Sequence, residues 1–200
     1  MLDAVCDQFW DAGYAATSLQ DLVRVSGLGK GSLYAAFGDK HELFLRALRR
    51  YVAASNGALR ERFTSAPRAV AALRDYLSVP AGDPTGAEAR RGCFLANSTT
   101  ELAATDPLLA AEARRAYEET TILLAEGVAQ ARADGDLSTV ADPLDTARAL
   151  LAAKQGLVFM GRSGMDVEAL ASTARSLITQ LLPAPVLAPG PTGAPRPPAP

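Results

Sequence analysis

Apolar residues recur at helical spacing along most of the chain, and the breaks between runs carry glycine or an Asp-Pro pair. The first run, Leu2, Val5, Cys6, Phe9 and Trp10, forms one inward stripe of a helix that stops at Gly13. Cys6 lies within that stripe and reads as a small buried apolar residue rather than a reactive thiol. Two short helices follow between residues 17 and 40. Thr17 and Ser18 are candidate caps, with Gln20 or Asp21 as reciprocal partner, and Leu19, Leu22 and Val23 share a face up to Gly27. The next segment is too short to hold a helix alone. Its Leu33 and Phe37 face inward, while Lys30, Ser32 and Tyr34 fall on other faces, within reach of a phosphate or a base edge. Two short helices joined through a glycine, the second polar and basic, match a helix-turn-helix whose second helix enters the major groove.

Beyond it, Asp39 caps a helix with Glu42 as box partner and Leu43, Phe44, Ala47, Leu48, Tyr51 and Val52 as its apolar side. That helix links the two parts of the chain. His41, the single histidine, has no second ligand at metal spacing and reads as a surface residue. Pro67 starts a further helix. Residues 80–92 read as a loop in which Arg90 and Arg91 form a solvated pair. A helix is expected over 93–104. Asp106-Pro107 then opens a long one to about Ala133, Asp142-Pro143 repeats the device, and Asp166 opens the last helix after a break at 162–164. From residue 183 onward, eight of 18 residues are proline, which predicts a disordered tail. The expected fold is all-α with about nine helices: a three-helix helix-turn-helix module over 1–45, a helical domain over 46–182, and the tail 183–200.

The residues around the motif resemble the TetR family of transcriptional repressors. Phe9-Trp10 and Gly13-Tyr14 precede it, Thr17-Ser18-Leu19 open it, Lys30-Gly31-Ser32-Leu33-Tyr34 form the second helix, and Phe37, Gly38, Lys40 and Leu43-Phe44 follow. The agreement spans roughly fifty residues and is specific in combination. The resemblance implies a DNA contact set of Thr17, Ser18, Lys30, Gly31, Ser32, Tyr34 and Lys40. In it Lys40 joins the first amides of its helix in a phosphate clamp, the alternative being a solvated lysine. It further implies a homodimer built on the helices near 143–163 and 166–182, an operator of double-stranded DNA, and a small-molecule inducer bound by the C-terminal domain. Members of the family usually carry a basic arm before the first helix. Here Met1 begins inside that helix, so either the start is truncated or affinity comes from fewer phosphate contacts than usual. Ala35 and Ala36 replace the bulkier residues usual after the tyrosine, so base reading leans on Ser32, alanine methyl groups or DNA shape.

Charge does not announce a DNA-binding protein. The formal net charge is −2, and residues 1–50 hold six basic against six acidic residues. Asp3, Asp7 and Asp11 lie along one side of the first helix, which allows separation by face. An apolar fraction of 48% suits a helical core. No run reaches the roughly 20 residues of a membrane span, the start carries no secretory signal, and a cytoplasmic protein without membrane partner is expected. Cys6 and Cys93 are far apart and support neither a disulfide framework nor a zinc site.

No catalytic constellation, cofactor loop or metal-ligand spacing is present, so the chain is expected to be no enzyme and to need no cofactor. Gly-Leu-Gly-Lys-Gly at 27–31 lacks phosphate-loop spacing. Candidate ligand-lining residues are Tyr76, Phe94, Asn97, Glu101 and Tyr117, any of which also fits plain core or a buried hydrogen-bond network. Cys93, in Arg90-Arg91-Gly92-Cys93-Phe94-Leu95, sits in a segment similar to the one carrying the sensing cysteine of electrophile-responsive relatives. A helix start and two arginines favour a thiolate there. The other reading is an inert core filler. Those relatives also use a lysine, and Lys154 lies about a turn from the matching place. The reading is a ligand-responsive repressor released by a small molecule or an electrophile. The alternative is a helical small-molecule- or partner-binding module with weak or lost DNA binding.

Overall fold

The computed structural model describes residues 1–78, 87–138 and 141–185. They form ten α-helices: α1 (Leu2–Ala12), α2 (Leu19–Ser26), α3 (Lys30–Phe37), α4 (Lys40–Ser65), α5 (Ala69–Leu77), α6 (Ala87–Arg91), α7 (Phe94–Leu102), α8 (Pro107–Ala133), α9 (Pro143–Arg162) and α10 (Val167–Leu181). The tenth is the five-residue α6, which occupies part of the stretch expected to be loop. The rest of that loop and the tail from residue 186 lie outside the described residues.

Side-chain caps fix five of the helix starts among the described residues. Ser18 closes a capping box with Asp21, Asp39 accepts from the Glu42 amide, and Asp106, Asp142 and Asp166 each accept from amides of the following turn. Gly27 ends α2 at φ 71°, where a side chain would be strained. Two starts shift. α5 begins at Ala69 rather than Pro67, and α7 at Phe94, with Cys93 held extended in the N-cap position.

Leu22, Leu33, Leu43 and Phe44 bury α2, α3 and α4 against Val5 and Phe9 of α1. The same core continues into Phe94 and Leu95 of α7 and Leu109, Ala113 and Ala116 of α8. The first three helices are therefore packed onto the C-terminal part. A second core joins the end of α4 to α5, α8 and α9 through Leu59, Leu73, Leu77, Leu124, Val128 and Leu150. Gly127 lets α8 approach α4 closely, since a Cβ there would overlap the Phe63 ring. A third, small core seats α10 on α9 through Leu157, Leu170 and Ala174. No helix among the described residues is long and apolar enough to cross a membrane.

Polar locks join the first three helices to the remainder. The Tyr14 and Ala15 amides donate to Glu101 at 3.0 and 2.8 Å. His41 Nε2 lies 2.6 Å from Asp106 Oδ2, so this half-buried histidine ties the start of α4 to the cap of α8 and is not the free surface residue expected. Arg91 is likewise not a solvated side chain. Its guanidinium reaches Asp7 and Asp11 at 2.6 and 2.7 Å and stacks on Trp10 with its carbon 3.9 Å from the ring centre.

Candidate functional site

α2 and α3 are short and meet at an angle set by the Gly27 turn, and α3 is held by one deeply buried residue, Leu33, with Phe37 partly buried beside it. The remaining side of α3 is open. Lys30, Gly31 and Ser32 are exposed and Tyr34 is 38% exposed, with Ala35 and Ala36 exposed beside them. Among the described residues Lys30 is in no ion pair, which leaves its charge available to an outside anion. Lys40, beside that face at the start of α4, rests its ammonium 4.4 Å from the Tyr14 ring centre. This fixes the lysine next to the first amides of α4, where the helix dipole already favours an anion.

Two members of the expected contact set have other duties. Thr17 is 1% exposed and its hydroxyl donates to the Gly13 carbonyl at 2.6 Å, so its side chain positions the turn before α2 and does not present itself to a ligand. The Ser18 hydroxyl donates to Asp21 at 2.6 Å and accepts from the Asp21 amide, completing the cap. These bonds hold the Asp21 carboxyl down at about 2. The acidic stripe of α1 is ion-paired rather than merely turned away, three carboxylates sharing two guanidiniums: Asp3 pairs with Arg50, and Asp7 and Asp11 with Arg91. Burial pushes the Cys6 thiol up to about 11, in keeping with a filler.

A cavity of about 360 Å³ lies among α4, α5, α8 and α9, with the start of α7 at its edge. Tyr76, Cys93 and Tyr117 line it as expected, together with Tyr51, Lys154 and Gln155. Phe94, Asn97 and Glu101 do not. They line a neighbouring cavity of about 500 Å³, and Trp10, Gln155 and Val158 face both. The six candidates thus divide between two spaces, because Cys93 is still extended at the N-cap while Phe94 begins α7, and the two side chains leave the backbone toward different cavities. Asn97 is further engaged with the Arg91 carbonyl at 3.0 Å, Phe94 is 1% exposed within an aromatic cluster, and Glu101 holds the Tyr14 and Ala15 amides.

In the smaller cavity the Tyr51 hydroxyl donates to Cys93 Sγ at 3.5 Å, and burial pushes the Tyr51 and Tyr76 hydroxyls well above the ordinary tyrosine range. Lys154 donates to the Ser78 carbonyl at 3.2 Å and lies over the Tyr76 ring, facing the same space as Cys93. Trp10 is the residue most easily missed in the sequence. It reads as one more member of an apolar stripe, yet it carries the wall of both cavities on α1. Lys154 left a visible signal, a charge interrupting an apolar run, but its partner space is visible only in three dimensions.

Residues 1–47 match the family model described as bacterial regulatory proteins, tetR family, and residues 66–177 match that of the tetracyclin repressor-like C-terminal domain. Similar proteins include the HTH-type transcriptional repressor ComR of Escherichia coli (strain K12), 33% identical over 174 residues and covering 84% of this chain and 81% of that one. The uncharacterized HTH-type transcriptional regulator YezE of Bacillus subtilis (strain 168) is 29% identical over 171 residues, covering 85% and 88%. Among solved structures, a cysteine mutant of the TetR family regulator CifR complexed with 26-bp double-strand operator DNA superposes with a TM-score of 0.70 at 26% identity, over 91% of this chain and 94% of that one. With both halves of the chain matched and an open-faced second helix in the motif, this protein belongs to the TetR family of transcriptional regulators, DNA-binding factors that are not enzymes.

Proposed function

We propose that the chain is a homodimeric repressor that binds a near-palindromic operator through residues 1–45 and is released when a small molecule enters the helical domain of residues 46–182. The observation that carries the DNA-binding part is the face of α3. Leu33 anchors the helix while Lys30, Gly31, Ser32 and Tyr34 stand outward, and Lys40 sits at the adjoining helix start. Lys30 and Lys40 contact phosphates, and Ser32 and Tyr34 lie against the groove. Dimerisation through α9 and α10 is supported by apolar side chains left open at the end of α9 and in the turn that follows, with Phe159 70% exposed, Met160 next to it and Met165 between the two helices. Lys30→Ala and Lys40→Ala each remove one phosphate contact per protomer. Each is expected to weaken binding to all sequences and to lower the salt slope of log K by about 2 per dimer, measured by titrating fluorescent operator at several salt concentrations. Unchanged affinity and slope in both variants would falsify the assignment.

Release follows if the effector favours the conformation that does not fit DNA. Trp10 supports this reading, because a residue of α1 lines the cavity and is itself gripped by Arg91. An electrophile is a second form of inducer, supported by the Cys93 thiol facing the cavity with Lys154. In that case the thiol loses its proton to solvent, Sγ adds to the alkene carbon of a Michael acceptor as the C=C π bond opens to an enolate, and solvent returns a proton to the neighbouring carbon. Treatment with N-ethylmaleimide is then expected to lower operator affinity in step with modification of Cys93, and Cys93→Ser to abolish the response. A protein that stays on DNA while Cys93 is fully modified leaves only non-covalent induction.

A further inference from the structure

Among the described residues, the cavity that holds Cys93 is lined by no carboxylate. Its ionisable lining comprises two cations, Arg62 and Lys154, along with tyrosines and the thiol. Arg62 is already neutralised, its guanidinium 2.7 Å from Asp75. Lys154 is not. Among the described residues its ammonium has a single hydrogen-bond partner, the Ser78 carbonyl, and one aromatic face, Tyr76. Burial pulls the Lys154 ammonium below its ordinary range and Arg62 adds repulsion, while Asp75 and Cys93 act the other way. A half-buried cation with one neutral acceptor leaves two N–H groups in a largely apolar space, and a protein interior seldom keeps such a group without a counter-charge.

Two further polar atoms point the same way. Among the described residues Trp10 Nε1, a donor, and Gln155 Oε1, an acceptor, are buried without a hydrogen-bond partner, and both residues line this cavity as well as its neighbour. Around them stand Val52, Leu95, Leu151 and Val158, an apolar body of the size an aromatic ring fills. Resting on the reading of this cavity as the effector site, we propose that its ligand is a small organic anion, an aromatic carboxylate bearing a hydroxyl group, whose charge is matched by Lys154. The ring lies among the apolar side chains, and its polar groups supply the acceptor and the donor that Trp10 and Gln155 lack. A carboxylate on Lys154 forms a charge-assisted hydrogen bond in a water-poor space, which a neutral ester forms only weakly and an ammonium opposes.

The test uses the full-length dimer and three probes of one shape: 4-hydroxyphenylacetate, its methyl ester and tyramine, which are anionic, neutral and cationic. Binding is measured by calorimetry, and operator affinity separately. The expected result is an acid that binds at least about tenfold more tightly than the ester, with tyramine weakest. Lys154→Met is expected to bring the acid-to-ester ratio to about one while retaining ester binding, and Lys154→Arg to keep the preference. An ester that binds the wild type as tightly as the acid, or a ratio unchanged in Lys154→Met, overturns the assignment of an anion; so does absence of binding by all three probes at millimolar concentration. Release is judged apart from this. If the acid binds with the expected preference but operator affinity does not change, the anion site stands and ligand-driven release fails. If the ester binds equally well and frees the operator, release stands and the anion assignment fails.

Discussion

Phe44→Ala is expected to lower the unfolding free energy by about 3–5 kcal/mol, the largest stability effect of any single substitution proposed for this chain. Phe44 is 0% exposed and lies on α4 where the two parts of the protein meet. Its ring is edge-on to Phe9 at 5.2 Å, tilted to Tyr14 at 4.9 Å and edge-on to Phe94 at 5.8 Å. Truncation therefore removes aromatic contacts to α1, to the turn before α2 and to α7 together, and leaves a cavity that these neighbours fill only by shifting inward. Since a domain of this kind is stable by roughly 5–15 kcal/mol, the variant is expected to be partly unfolded at moderate urea. Urea titration followed by circular dichroism measures the effect, with a shifted midpoint and an unchanged slope. Phe44→Leu, which keeps most of the volume, is expected to lose much less. A loss below about 1 kcal/mol for Phe44→Ala would show that the joint between the two parts is not packed as described.

The second large effect is expected at Asp106. Its Oδ1 accepts from the Leu108 and Leu109 amides at 3.0 and 3.1 Å, capping α8, and its Oδ2 holds His41 at 2.6 Å. One carboxylate thus begins the 27-residue helix at the centre of the molecule and fastens the start of α4 to it. Asp106→Ala removes a cap, about 1 kcal/mol, and a charge-assisted bond of about 1.5–3 kcal/mol, for a total of roughly 2–4 kcal/mol. Asp106→Asn retains a capping oxygen and is expected to lose only the smaller share tied to charge. The pH dependence gives a second check. Burial tends to raise the Asp106 carboxyl, but the His41 bond and the two amides outweigh it and hold the folded-state value below the ordinary aspartate value. A depressed carboxylate stabilises the fold above its unfolded value near 3.8 and stops doing so as pH falls through the folded value. The gap in stability between wild type and Asp106→Asn is therefore expected at neutral pH and expected to close on acidification below about 4. A gap that persists in acid would assign the loss to packing instead of charge.

These two sites share a consequence for the regulator. Phe44 and Asp106 both join the DNA-reading helices to the helical domain, as do Glu101 on the Tyr14 and Ala15 amides and Arg91 on Asp7, Asp11 and Trp10. The proposed release acts on a joint of which these contacts are part, with Trp10 of α1 lining the cavity directly.

What the sequence by itself determined lies within a few residues of where it is written. Ser18, Asp39, Asp106, Asp142 and Asp166 were legible as caps because each bonds an amide two or three positions on, and Gly27 was legible as a stop because only the backbone at that position decides it. The helix-turn-helix was legible for the same reason, since Leu33 and its exposed neighbours differ by side of one short helix. The five-residue α6 was not, because Pro and Gly around it outweigh so short a run of helix formers. Only the tertiary structure decided the partners of the polar side chains. Glu101 bonds amides 87 and 86 residues away, Arg91 reaches carboxylates 84 and 80 away, His41 meets Asp106 across 65, and Lys154 meets Ser78 across 76. Burial leaves a periodic trace along the chain, because every turn of a helix must repeat it. A single charged pair leaves none, because its partner is chosen by how distant helices happen to pack. The division of Cys93 and Phe94 between two cavities, and the meeting of Lys154 with the Ser78 carbonyl, belong to that second kind.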